Sequence, residues 1–320
     1  MRKELRLVRF LLKLIVSVGL LAVLIWHTDL VALQIALSHI SWRDMLAAVL
    51  ILVALTPLLA WRWCGIANAV GVPLTRRSAL VIVLIGTFFN QVLPSAIGGD
   101  MVRVWLVRSA RVSLTKGLSS ILLDRIVALF GMVLIVAVGF PWLIDIVRHP
   151  ALKTVAMVTV IAGFGGTISL LLLDKIPFPR ALRARLHIDK PLRLAADARA
   201  VLLSPRVAGP ALLASVMIHL MVSVAVWILA RGIGLSVALQ VFVLLLPVVL
   251  LASLLPISIA GWGVREGAMI ACLALVGVDA ASAFAVSALF GLTYVIAGLP
   301  GGLAWILAGR TIHTSAPPSA

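Results

Sequence analysis

The sequence has little of what soluble domains and most enzymes depend on. Only 12% of its 320 residues are charged, acidic residues number 11 against 27 lysines and arginines, and there are two cysteines and one tyrosine. Cys64 and Cys272 form no CxxC pair, so neither a disulfide framework nor a metal site is predicted, and both are expected to be small buried residues. HExxH, GxSxG, P-loop and GxGxxG motifs are also missing, which argues against common catalytic or ATP-binding sites.

What dominates instead is apolar character. The chain is 63% hydrophobic with a mean hydropathy of +1.20, whereas soluble domains are about 45–50% apolar. The net charge of +16 comes from residues that lie between apolar runs, as the positive-inside rule describes, and not from a nucleic-acid-binding face. The sequence therefore predicts one integral membrane domain over residues 1–310, anionic lipids as neighbours, no nucleic-acid partner and a disordered tail over 311–320.

A membrane-spanning helix needs about 20 apolar residues. About six stretches meet that length, and they are Leu7–Ile25, Asp44–Trp63, Leu118–Phe140, Leu152–Leu173, Val207–Ala230 and Ala281–Leu307. The first follows a basic N-terminal segment and is read as an uncleaved span because no small-residue cleavage site follows it. Thr28–Ser41 has one apolar helical face and is predicted to lie along the membrane surface.

A short phrase occurs in both halves of the chain. Leu93-Pro94-Ser95-Ala96-Ile97-Gly98-Gly99 is echoed by Leu255-Pro256-Ile257-Ser258-Ile259-Ala260-Gly261, and each copy is followed at once by charged residues. Each phrase separates two short apolar segments, Ala79–Leu93 from Asp100–Ser109 and Ala238–Leu255 from Arg265–Val276. Paired Gly/Pro interruptions at corresponding places in two halves are typical of transporter binding sites.

The distribution of lysine and arginine gives the topology. Both flanks of the first interrupted segment are basic, and residues 174–206 contain eight basic and three acidic residues, so these regions and both termini are predicted to be cytoplasmic. The interrupted segments then become re-entrant hairpins, about 79–110 and 238–277, that turn at Pro94–Gly99 and Pro256–Gly263 and enter from opposite faces. The predicted fold is an all-α polytopic membrane protein with an inverted repeat; two ordinary proline-kinked helices are the alternative.

In the first hairpin, Gly98 and Gly99 permit a sharp turn, and the helix that starts near Asp100 presents its N-terminus to the middle of the membrane. Arg103, one turn into that helix, is positioned to bind the same anion through its guanidinium. For Asp100 three roles stay open: capping the helix, pairing with Arg103, or contacting substrate or a proton.

In the second hairpin, Gly261 and Gly263 loosen the turn, and Arg265 and Glu266 open the returning helix. Arg265 is the candidate for a second anion contact. Glu266 has three possible roles: neutralising Arg265, pairing with Arg103 or carrying a proton. Because adjacent helical residues point about 100° apart, Arg265 and Glu266 are not expected to share one partner easily.

Other polar residues fall within predicted spans. Asp124 is a candidate partner for Arg103 or Arg265, and Arg125 either joins the same site or extends to the interface. His219 is expected to be a hydrogen-bonded buried imidazole and Tyr294 a packed residue.

The run LPSAIGGDMVRVWLV, then LLDRIVAL, then LPISIAGWGVREGAM resembles the flippase-like membrane domain of the lysylphosphatidylglycerol synthase family over nearly the whole chain. The resemblance implies a bacterial inner-membrane protein in which Asp100, Arg103, Arg125, Arg265 and Glu266 occupy the charged motif positions. Only a short tail follows Arg310, so the family's aminoacyl-transfer domain is absent from this sequence and synthase activity is not expected.

The leading hypothesis is therefore a flippase for an amphiphilic lipid with an anionic or phosphate-bearing head group, without cofactor or metal. One alternative is a membrane-embedded head-group transferase, for which Asp100 or Glu266 would have to be the general base. Another is a non-catalytic membrane partner that anchors a lipid- or glycolipid-synthesis enzyme through the basic segment 174–206.

Overall fold

A bundle of helices accounts for the regular structure in the computed structural model, which describes residues 18–19, 21–26, 29–93, 98–108, 112–146, 150–177, 188–254 and 261–308. No strand occurs within these ranges. Residues 21–26 are helical, and the helices that follow are α1 Leu30–His39, α2 Trp42–Ala69, α3 Arg76–Val92, α4 Gly98–Arg108, α5 Leu114–Ile146, α6 Pro150–Leu173, α7 Asp189–Leu202, α8 Pro205–Gly232, α9 Leu239–Ser253, α10 Val264–Ala274 and α11 Ala280–Ala308. The predicted all-α fold is confirmed.

Five helices in the described part of the chain are long and apolar enough to cross a membrane: Trp42–Ala69, Leu114–Trp142, Ala156–Leu173, Pro205–Gly232 and Ala280–Leu307. They correspond to five of the predicted spans, and the chain is a multi-pass membrane protein. Most of the remaining predicted span, Leu7–Ile25, lies outside the described residues, as does the tail 311–320. Of the predicted turns Pro94–Gly99 and Pro256–Gly263, residues 94–97 and 256–260 also lie outside them. Thr28–Ser41 contains α1, capped by the Asp29 carboxylate, which accepts hydrogen bonds from the N–H groups of Val31 and Ala32.

The interrupted segments form two pairs of short helices. With a rise of 1.5 Å per residue, α3 and α9 are about 22–26 Å long and α4 and α10 about 16 Å, so none matches the roughly 30 Å hydrocarbon layer. Short connections place the start of α3 beside the end of α2, and the start of α9 beside the end of α8. Within the first pair, Gly99 lies against Gly86 and Asn90, so α4 folds back along α3.

One end of the bundle is strongly basic. Here α2 and α6 finish, α5 and α8 begin, and α7 packs across all four. At this basic end lie Arg76, Arg77, Arg108, Lys116, Lys175, Lys190, Arg193 and Arg206, whereas the described residues near the opposite end include Arg43, Lys153 and Arg231. Trp42 and Trp142 are exposed near that opposite end.

The helix α7 falls inside the segment 174–206, which was predicted only as a basic loop. Its buried residues Leu192, Ala195, Ala198 and Val201 recur at helical spacing and face the core. Of these, Ala198 and Val201 join a cluster with Ile66 of α2, Leu123 and Val127 of α5 and Ala211 of α8. Asp174 and Arg199 form an ion pair of 2.5 Å between the end of α6 and α7. The basic segment is thus partly folded over the end of the bundle.

The two halves of the chain meet where α11 packs along α3. A Cβ added to Gly301 would overlap the carbonyl oxygen of Leu84, and Gly302 lies against the ring of Phe88. Small residues that bring helix backbones this close are typical of membrane interfaces, where packing rather than water exclusion drives association. The contact holds the first short pair against the last span.

We expect Gly301→Ala to destabilise the protein by about 1–3 kcal/mol, because the new methyl group has no room between the α3 and α11 backbones. Gly166→Ala is the matched control, since a Cβ at this helical glycine of α6 meets no atom within 4 Å. It should be neutral or slightly stabilising through helix propensity, up to about 1 kcal/mol. Thermal melts of both variants in detergent measure the difference, and equal melting temperatures would contradict the α3–α11 contact.

Candidate functional site

Five charged side chains from three helices form one continuous network. Asp124 of α5 accepts from Arg62 Nε of α2 at 2.9 Å and from Arg103 Nη2 of α4 at 3.3 Å. Asp100 accepts from Arg103 Nη1 at 3.2 Å and from Arg125 Nε at 2.8 Å. Cations and carboxylates therefore alternate from Arg62 to Arg125, which brings together four of the predicted residues.

The helices explain how these side chains meet. Asp100 and Arg103 lie three residues apart on α4 and so share one face. Asp124 and Arg125 are adjacent on α5 and point about 100° apart, so the first faces α2 while the second faces α4. Of the roles left open for Asp100, pairing with Arg103 is observed; the N–H of Gly99 is instead satisfied by Asn90 Oδ1 at 2.9 Å.

Close backbone contact makes room for this arrangement. A Cβ on Gly86 of α3 would lie 2.9 Å from Cγ of Arg103, so the arginine crosses α3 at a residue with no side chain. A Cβ on Gly99 would overlap the Gly86 carbonyl oxygen, and one on Gly98 would crowd Leu93. Gly98 and Gly99, predicted to permit a sharp turn, are the first residues of α4 and allow it to approach α3 closely.

The network is buried and carries one excess positive charge. Arg62, Asp100, Arg103 and Asp124 are each less than a tenth exposed, and only the Arg125 side chain, at 42%, is well exposed. Three guanidinium groups face two carboxylates. In addition, Arg103 Nε is buried with no hydrogen-bond partner in the described chain. An uncompensated buried cation is costly, so the site favours an additional anion.

The second short pair forms its own ion pair at the start of α10. Arg265 donates to Glu266 Oε1 through Nη2 at 2.6 Å and through Nε at 3.1 Å. Glu266 is fully buried, and its Oε2 accepts from the N–H of Gly263 at 2.5 Å, which caps the helix. The turn before α10 needs glycine, since Gly261 and Gly263 have φ of 81° and 87°.

The expectation that Arg265 and Glu266 do not readily share a partner is wrong. Ser287 Oγ of α11 lies 3.3 Å from both Arg265 Nε and Glu266 Oε1. The long arginine side chain folds back over the first turn of α10, which its four rotatable bonds permit. Of the roles left open for Glu266, neutralising Arg265 is the one present among the described contacts.

The two arginines of the short pairs have matching surroundings. Arg103 lies over the ring of Trp63, 4.2 Å from its centroid, and Arg265 lies 4.6 Å from that of Trp262. Each crosses a glycine of a neighbouring helix, Gly86 for Arg103 and Gly291 for Arg265. Aromatic faces hold a guanidinium in place without neutralising it.

One cavity of about 320 Å³ connects both pairs, and we call it the central cavity. Its charged lining consists of Arg62, Arg103, Arg125 and Arg265 with Asp124 as the single carboxylate. Uncharged polar lining comes from Thr87, Asn90, Gln91, His219, Ser253 and Tyr294, and apolar residues complete the wall. Its size lies at the low end of small-molecule pockets, about 300–1,000 Å³.

His219 and Tyr294 both line the central cavity. The His219 Nε2 atom lies 3.1 Å from the carbonyl oxygen of Ala128, but Nδ1 is buried with no partner in the described ranges. The imidazole is therefore buried and hydrogen-bonded, as predicted, although only one of its two nitrogens has a partner among the described residues. Tyr294 packs edge-to-face against Phe290, as expected of a packed residue. Cys64 and Cys272 are buried free thiols, and no group of three or more metal-ligating side chains occurs in the described chain.

A family model described as the transmembrane region of lysylphosphatidylglycerol synthase matches residues 10–302. The chain belongs to this family. The resemblance seen in the two glycine-rich motifs is thus confirmed, and it supports a membrane function related to lipids. No curated protein and no solved structure gives a significant match.

Arg62 is the functional residue that sequence reasoning missed. The predicted span ended at Trp63, so Arg62 read as a charge at the membrane boundary, but α2 continues to Ala69 and carries Arg62 about 10 Å inward from its end. A detectable signal was the flanking sequence, in which Trp61 and Trp63 enclose the only charged residue between Met45 and Ala69. Asn90, Ser215 and Ser287 were also missed, because lone polar residues in spans have no distinctive pattern.

We expect Asp124→Asn to destabilise the protein by about 3–5 kcal/mol, because it leaves two buried guanidinium groups without their shared carboxylate. The double variant Arg62→Met/Asp124→Leu should recover part of this loss, since replacing both partners by apolar groups is often near neutral. Melting temperatures in detergent measure both effects.

Arg199→Gln is the control for a more exposed ion pair, because the Arg199 side chain is 31% exposed. It should cost no more than about 1 kcal/mol. If the losses of stability in the single variants Arg62→Met and Asp124→Leu summed to the loss in the double variant, this would contradict the direct coupling described for the network.

Proposed function

We propose that this protein moves an amphiphilic lipid with an anionic or phosphate-bearing head group across the bacterial inner membrane, with the head group in the central cavity. The single observation that supports this best is the lining of that cavity, four arginines against one carboxylate. A phosphate would offset the excess charge and accept the unused hydrogen bonds. Guanidinium groups suit this task because their planar donors match phosphate oxygens.

The surface of the bundle offers a place for the acyl chains. Leu254, which lines the central cavity, is 43% exposed, and Val92 beside the lining residue Gln91 is also exposed. Both residues lie at the ends of the short helices α9 and α3. A head group inside the cavity can therefore leave its apolar tails in the surrounding lipid, as lipid transport requires.

We further propose that α3–α4 and α9–α10 are re-entrant hairpins related as an inverted repeat. Their short lengths, their attachment at opposite ends of the bundle and the matched environments of Arg103 and Arg265 support this. One unit moving against the other would then expose the head group alternately to each side. The concentration of lysine and arginine at the basic end supports a cytoplasmic location for that end and for both termini.

We propose that the chain is not itself an enzyme. A head-group transferase would need a free general base, yet the carboxylates of Asp100 and Glu266 are each occupied by hydrogen bonds from a guanidinium. The competing proposal is that the protein is a membrane partner that anchors a lipid-synthesis enzyme, since α7 presents exposed Lys190 and Arg193 at the basic end. Stable co-purification with a lipid-synthesis enzyme, together with no lipid movement, would favour it.

The test is lipid movement in proteoliposomes that contain fluorescent phosphatidylglycerol or phosphatidylcholine and are probed with a membrane-impermeant quencher. We expect the protein to move phosphatidylglycerol faster. Arg103→Gln and Arg265→Gln should each slow that movement about tenfold or more, because a hydrogen bond to a charged group contributes about 1.5–3 kcal/mol.

Arg77→Gln is the control, since Arg77 is exposed at the basic end and lines neither cavity. Folding of each variant is checked by its melting temperature. No movement of either lipid by folded protein would overturn the proposed function. Unchanged movement in both arginine variants would overturn the assignment of the site.

A further inference from the structure

A second cavity of about 290 Å³ lies at the basic end, between α2 and the first turns of α3 and α8. Its charged lining is Arg62, Arg76 and Arg206, and no carboxylate lines it. The remaining lining residues are Trp61, Cys64, Gly65, Ile66, Asn68, Val207, Pro210 and Ala211. Three cations thus line one pocket, and Arg62 is the one of them that is paired with a carboxylate, Asp124, which lies outside the lining.

The placement of two of these arginines opposes the usual preference of helix ends. Arg76 is the first residue of α3 and Arg206 the second of α8, where the partial positive charge of the helix favours acidic side chains. Neither guanidinium forms a hydrogen bond or ion pair within the described residues. Both residues are exposed, so two helix N-termini and two solvated, unpaired cations border the same pocket, and both would attract an anion bound there.

Arg62 connects this pocket to the central cavity, because it lines both. Its Nε donates to Asp124 and its Nη1 to Ser215 Oγ at 3.0 Å, whereas Nη2 has no partner among the described residues. The buried guanidinium therefore separates the two cavities. Its Nε and Nη1 atoms donate to Asp124 and Ser215, and the two N–H groups of Nη2 remain available to a ligand.

The backbone that leads to Arg76 is held in place by hydrogen bonds before any ligand binds. Asn68 Nδ2 donates to the Leu74 carbonyl oxygen at 2.9 Å, and the Leu74 N–H donates to Asn68 Oδ1 at 3.2 Å. These bonds pin the short connection that leads into α3, which begins after the cap residue Thr75. A site held in this way loses little entropy when it binds a ligand.

We propose that this second cavity is an anion-binding site for the phosphate of a lipid head group, and that Arg62 is the contact it shares with the central cavity. The inference rests on the proposed function, because it gives the head group a position at the basic end before or after the central cavity. Phosphate is favoured over a carboxylate because three guanidinium groups can each contact a different oxygen.

Calorimetric titration of the detergent-purified protein with dihexanoylphosphatidylglycerol tests the proposal. The protein as it stands should show two classes of site. Arg76→Gln/Arg206→Gln should weaken one class about tenfold or more and leave the other, because charged hydrogen bonds are lost only there. Arg103→Gln/Arg265→Gln should weaken that other class and leave the first unchanged. Arg77→Gln, next to Arg76 but outside the pocket lining, should change neither class.

The source of the phosphate is tested by titration with glycerol 1-phosphate. Much weaker binding than that of the short-chain lipid supports a lipid head group, whereas equal binding contradicts it and assigns the site to a soluble organic phosphate. If Arg76→Gln/Arg206→Gln binds the lipid as Arg77→Gln does, the site is overturned. These results are independent of transport, so a failure of lipid movement does not decide them.

Cys64 provides a second readout that needs no arginine variant. Cys64 lines the second cavity and Cys272 lines neither cavity, so in a Cys272→Ser background a maleimide reports on Cys64 alone. Dihexanoylphosphatidylglycerol should slow this labelling several-fold, and dihexanoylphosphatidylcholine should have less effect. Unchanged labelling at saturating phosphatidylglycerol would place the second class of sites elsewhere and overturn the proposal.

Discussion

The carboxylate of Asp124 is the interaction on which the site depends. It is 3% exposed, and its two oxygens bind guanidinium groups from two other helices, Arg62 of α2 and Arg103 of α4. In a medium of low dielectric constant each of these charges is costly alone, so the three helices must keep the geometry that pairs them. The same pairing leaves one guanidinium charge in excess, and the proposed preference of the central cavity for anions rests on this excess.

Much of the fold could be predicted because membrane helices follow from length and hydropathy alone. The sequence also indicated Asp100, Arg103, Asp124 and Arg125, since charges deep within apolar segments rarely occur without a role. Arg62 was not predicted as a site residue, because a charge near a helix end resembles a solvated boundary residue until the true end of the helix is known. The helix α7 escaped because its apolar face is only a few residues wide and its composition is polar. The contact between Ser287 and Arg265 could not be predicted, because the direction of the backbone does not fix where the end of a flexible arginine side chain lies.

The two halves of the molecule share a local design but differ in charge. Arg103 and Arg265 each cross a glycine, lie over a tryptophan and contact an acidic residue. Arg265 is neutralised by its own neighbour Glu266, whereas Arg103 divides its donors between two carboxylates that also serve Arg62 and Arg125. The excess positive charge of the central cavity therefore comes from the first half of the chain. The second half contributes Arg265, whose charge is balanced by Glu266, so that it can donate hydrogen bonds without attracting distant anions.

The excess charge has an electrical consequence. An empty network of three guanidinium groups and two carboxylates carries one positive charge, and a monoanionic phosphodiester in the central cavity would make it neutral. The empty and loaded forms then respond differently to voltage, because displacing one elementary charge through 100 mV changes the free energy by about 2.3 kcal/mol. A transport cycle built on this site would therefore be voltage-sensitive in the step where the empty protein resets, and nearly insensitive in the step where the lipid is carried.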